Sequence, residues 1–269
     1  MIALESQIDK EYKSHFFSVV RPNFVFLKDY PNVEILTKNS LLKKKQAQND
    51  ILSSHRIVGI SRKINGKLEN SLIYEKSLSG DYCILTDDNL FLYIALWLDS
   101  PWGFAELLNY DFLAFSGVIT KQSLENAIIP YLNNFSSKDS IKLLALELIM
   151  LMKVGALQML KDDSEISESM LQTAGNFFTL LGYYGLMEII IPDEFENAGI
   201  EILYPWSKIM AEFGPTTEEN AKKTALDVIK RVLTTNNELR TNVNKMKYFS
   251  SQFRLKIEQI INMEYMNLK

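Results

Sequence analysis

Residues 216–269 read TTEENAKKTALDVIKRVLTTNNELRTNVNKMKYFSSQFRLKIEQIINMEYMNLK, 54 positions without a glycine or proline. Apolar side chains recur along them at spacings of three and four: Ile229, Val232, Leu239, Val243, Met246, Phe253, Ile257 and Ile260. Read as a heptad, the two a slots left over fall to Asn236 and Ser250. A 3.5-residue period keeps one apolar seam facing a partner helix over its whole length. The stretch therefore predicts a long helical tail that associates as a coiled coil with a protein partner, self or heterologous. An asparagine at an a position, here Asn236, sets register and partner number at a cost in stability. A competing expectation is that Thr234-Thr235-Asn236-Asn237 breaks the helix, since threonine and asparagine are mediocre helix formers, and that the two halves pack inside a bundle.

Upstream of the tail, helical patterns dominate. The run IKLLALELIMLMKVGALQML (141–160) has the length of a membrane span, but Lys142, Glu147, Lys153 and Gln158 interrupt it. A charge near the centre of a span costs roughly 2.5–3.5 kcal/mol. A buried core helix is the expectation, and no membrane contact. DNLFLYIALWLD (88–99) predicts a helix closed by Pro101, and a further helix is expected from Thr120 or Ser123 through Leu132. A helix through Met170, Leu171, Ala174, Phe177, Phe178 and Leu181 is expected to end at Gly182 or Gly185. Pro205 is expected at the first helical position of WSKIMAEF.

The β signal lies nearer the N-terminus. RIVGISRKINGKLENSLIYEKS (56–77) places Asn65-Gly66 between two β-prone runs, the composition of a tight hairpin turn. DYCIL (81–85) adds a third strand. The expected fold is mainly α with a small N-terminal β-hairpin or three-stranded sheet, an α+β chain with a long C-terminal helix or helical hairpin. Its expected parts are a small mixed region over 1–85, a helical core over 86–215 and the helical tail over 216–269.

Charge is segregated. The net −4 resolves into +5 over residues 1–80, −5 over 81–160, −10 over 161–220 and +6 over 221–269. An acidic middle suits a basic partner, and a basic tail suits an acidic protein or nucleic acid. Equally, the basic ends can fold over the acidic centre and neutralise it. MIALESQIDKEYKS carries an early acidic residue and no apolar core with a cleavage site, so a secretory signal is not expected. With Cys83 the single cysteine, a reducing cytoplasmic setting is the expectation.

Catalytic patterns are sparse. His15 and His55 are the two histidines, far apart and without a neighbouring cysteine, and no glycine-rich phosphate loop occurs. Cys83 reads as a buried inert thiol. Asp81, Asp87 and Asp88 cluster where strand gives way to helix, with Glu69, Glu75 and Lys76 close by. A magnesium-dependent nuclease or other hydrolase would hang carboxylates from such a sheet. Glu75 and Lys76 are adjacent, however, and adjacent strand residues face opposite ways.

The leading expectation is thus a non-enzymatic protein-binding subunit or scaffold of a multi-protein complex, or an inhibitor or immunity-type protein, with no catalytic residues, metal or cofactor. Its interaction residues are the seam named above, including Asn236, together with Trp102 and Trp206, whose tryptophan–proline corners suit interface anchors as well as stiff turns. The alternatives are the hydrolase and a nucleic-acid reader using Lys222, Lys223, Lys230, Arg231, Lys245, Lys247, Arg254 and Lys256, possible in principle but not favoured.

Overall fold

The structure, a computed structural model, describes residues 22–47, 56–62, 68–73, 82–86, 90–103, 120–132, 137–161, 168–217, 220–234 and 237–268. It is mainly helical with a small sheet near the N-terminus and a long C-terminal helix, as the periodicity predicts. The chain divides into two units, one of Asn23–Tyr131 with Ile261–Lys269, the other of Leu132–Ile260 with Met1–Pro22.

The first unit holds the β structure. Strand β1 is Asn23–Phe26, followed by a 3-10 turn Leu27–Asp29, β2 Val33–Thr37 and helix α1 Lys38–Ala47. Strands β3 Arg56–Arg62, β4 Leu68–Ile73 and β5 Tyr82–Thr86 follow, then α2 Leu90–Asp99, α3 Lys121–Glu125 and β6 Ile128–Tyr131. β3 and β4 pair antiparallel with Arg62 opposite Leu68, and β5 lies on the other side of β3. The hairpin strands and the third strand are therefore where the β-prone runs put them; the Asn65-Gly66 turn lies outside the described residues. The sheet gains a fourth strand, β2, giving the order β2-β5-β3-β4.

A second ribbon pairs β1 with β6 and sets Phe24 opposite Pro130. It corrects the expected helix through Leu132. Thr120 caps α3 by accepting the Ser123 N–H, but the helix lasts one turn and the chain then extends. Proline lacks an N–H and fits a two-stranded ribbon, where every strand is an edge.

Helix α2 is buried from Leu92 to Leu98 because both its faces are covered. One face meets β3, β4 and β5. On the other, the Tyr93 hydroxyl donates to the Pro130 carbonyl (2.6 Å) and the Trp97 indole donates to the Ile128 carbonyl (2.9 Å). Burial pushes the Tyr93 hydroxyl well above its ordinary pKa, so it stays a donor.

The second unit is a helical bundle: α4 Ser137–Lys161, α5 Glu168–Ile190, α6 Pro192–Ala198, α7 Leu203–Glu212, α8 Ala221–Thr234 and α9 Glu238–Leu268, whose last turns fall in the first unit. α4 is the apolar run of 141–160, packed against α5, α7 and α8. Among the described residues no single helix is long and apolar enough to cross a membrane. Gln172–Ile190 with Pro192–Ala198 passes by composition only as a pair, bent by 106°.

α5 does not stop at Gly182 or Gly185. A Cβ at Gly185 would stand 2.7 Å from the Leu203 side chain and 3.0 Å from that of Leu146, so the glycine serves close packing and the helix continues to Ile190. Gly155 plays the same part between α4 and α8, where a Cβ would meet the Ala221 carbonyl oxygen at 2.7 Å. That neighbour is backbone and cannot rotate away. Gly155→Ala is expected to force the helices apart at a cost of about 1–2 kcal/mol, read as a lower midpoint in chemical denaturation.

Candidate interaction surface

The 216–269 stretch forms two helices. α8 ends at Thr234 and α9 begins at Glu238, with Asn237 capping the new helix: its side-chain oxygen accepts the Arg240 N–H at 2.9 Å. The heptad is thus split at the threonine–asparagine run. Asn236 lies outside the described residues.

Every apolar residue of the seam is buried within this chain, Ile229 and Val232 on α8, then Leu239, Val243, Met246, Phe253, Ile257 and Ile260 on α9, while Ser250 is half-buried. α9 lies over α6 and the loop that follows it. Phe253 packs on Phe195 with ring centres 5.1 Å apart, and the buried Asn242 donates to the Glu201 carbonyl at 2.8 Å. Lys245 donates to the Gly199 carbonyl (3.1 Å), and Lys256 pairs with Glu194. The seam is covered by the chain's own residues.

Trp102 and Trp206 are buried as well. Trp102 stacks on Trp97 at the corner after α2, where Ser100 donates to the Trp97 carbonyl and accepts the Gly103 N–H. A Cβ at Gly103 would sit 2.2 Å from that carbonyl oxygen, so this corner admits only glycine. Trp206 donates its indole N–H to the Ala145 carbonyl on α4 (3.0 Å) and meets Phe178 edge-on. Both tryptophans are core residues of their units.

Part of the segregated charge is neutralised internally. Arg231 makes two bonds to Glu212, Nε to Oε2 at 2.8 Å and Nη2 to Oε1 at 2.9 Å. Hydrogen bonding and charge together lower the Glu212 pKa and raise that of Arg231. With Lys256–Glu194, this ties the basic tail to the acidic middle at two points. Glu165 lies outside the described residues.

Glu188 sits in the apolar run LMEII of α5, and its Oε2 accepts the backbone N–H groups of Ile202 and Leu203, each at 2.9 Å. It thereby caps the first turn of α7 from a neighbouring helix, satisfying donors that have no partner within their own helix. The side chain is half-buried by exposed area, yet close packing of its carboxyl pushes the pKa up to about 7. The two N–H groups and the charge of Lys142 oppose that rise, and Glu201 adds to it. The carboxyl is engaged in holding a helix end.

Asp81, Asp87, Asp88, Glu75, Lys76, His15 and His55 lie outside the described residues, and Glu69 is on β4. Among the described residues no three His, Cys, Asp or Glu side chains come together in a metal-holding group.

The face of α9 turned away from the seam is exposed and nearly free of charge. Tyr248 is 87% exposed and Leu255 61%, and further along the helix Met263 is 60% and Met266 74% exposed. At 100° per residue, Tyr248 and Leu255 fall within about 20° of one line. Ser251, Gln252, Gln259 and Asn262 fill exposed positions between Tyr248 and Met266. The signal is present in the heptad itself, because Tyr248 and Leu255 occupy successive f positions, where a solvated helix normally carries charge. No protein-family model, curated protein or solved structure matches this chain.

Proposed function

We propose that this protein is a non-enzymatic binding subunit that joins a larger protein assembly through the outer face of α9. The observation that carries the reading is the pair Tyr248 and Leu255, large apolar side chains exposed two turns apart on one face of a helix whose opposite face is buried in its own core. Exposed apolar residues scattered singly are ordinary, whereas large ones that recur on one face of a helix suit an interaction surface. Aromatic and methionine side chains are also enriched at interface centres. The reading places the protein in the cytoplasm, in keeping with a single cysteine.

The test is co-purification from the native source with wild type and with Tyr248→Asp/Leu255→Asp. Both positions are exposed, so the double variant is expected to unfold within about 0.5 kcal/mol of wild type. Its bound partner should fall at least about tenfold. A partner retained in full by the double variant, or no partner with wild type, would overturn the proposal.

A further inference from the structure

We draw no further inference here: the strongest candidate, the surface patch of Ile141, Leu144 and Leu148 at helical spacing on α4, with Leu144 52% exposed and the other two half-buried, is an apolar face, and nothing in the structure shows what covers it.

Discussion

Trp206→Ala is expected to cost about 3–5 kcal/mol of folding stability, the range for truncating a large buried aromatic side chain. The indole is fully enclosed on α7, meets Phe178 edge-on at 6.1 Å, and bonds the Ala145 carbonyl on α4. Truncation removes the apolar burial, the ring contact and the cross-helix bond together, and a rigid helical framework refills little of the space. Total stabilities of domains this size are about 5–15 kcal/mol, so the variant should lose a large share of its stability and unfold at a markedly lower denaturant concentration. Denaturant titration followed by circular dichroism gives the measurement. A stability loss under about 1 kcal/mol, together with loss of a binding partner, would mean that Trp206 is a surface anchor after all. Trp206→Phe, which keeps most of the volume, should retain the fold and lose only a fraction as much.

Stability is expected to fall as pH rises through 7, and Glu188→Gln should remove that component. The carboxyl's folded value of about 7 lies above its ordinary 4.5. The folded state therefore holds the proton more tightly than the unfolded chain, and its contribution is fully present below about 4.5. It declines across the window between the two values and is gone above about 7. A shift of this size corresponds to about 2–3 kcal/mol, reduced from the full conversion because part of the side chain reaches solvent. Glutamine keeps an oxygen for the Ile202 and Leu203 N–H groups and cannot ionise. The difference in unfolding free energy between wild type and Glu188→Gln, measured from pH 4 to pH 8, should thus move steadily in favour of the variant. A flat difference, or one moving the other way, would mean that Lys142 and the two N–H groups hold Glu188 ionised throughout. Glu188→Ala, which strips the cap as well, should be less stable than Glu188→Gln at every pH.

Local chemistry made much of the architecture legible. The 141–160 run became α4 within a few residues, since its charges are too few to break a helix and too many for a bilayer core. Asn65-Gly66 between β-prone runs located a hairpin whose strands β3 and β4 are in place. The threonine–asparagine run marked the end of α8, and the competing expectation of two helices describes the tail better than one unbroken rod. Where expectation failed, packing outweighed propensity. Glycine inside α5 looks like a stop when considered residue by residue, yet Gly185 lets Leu203 and Leu146 close over the helix. Pro130 looked like a limit on a helix and is instead part of a strand, because Ile128 and Pro130 present their carbonyls to Trp97 and Tyr93 from a ribbon that exists only once β1 arrives.

The interaction surface shows the same division. Periodicity alone determined that the tail would be helical and that Leu239, Val243, Met246, Phe253, Ile257 and Ile260 would share one face, because a 3.5-residue repeat leaves a helix no other way to gather its apolar side chains. It carried no information about what covers that face, since burial by another chain and burial by one's own core impose the same pattern. Only the tertiary structure placed α6 and the loop after it beneath the seam, with Phe195 against Phe253 and the Glu201 carbonyl on Asn242. That choice turned the f positions outward, and Tyr248 and Leu255 became the apolar side chains left facing solvent. Glu188 was equally unreadable in advance: its partners lie fourteen and fifteen residues away in the chain, and α5 and α7 must pack before its carboxyl has any N–H to hold.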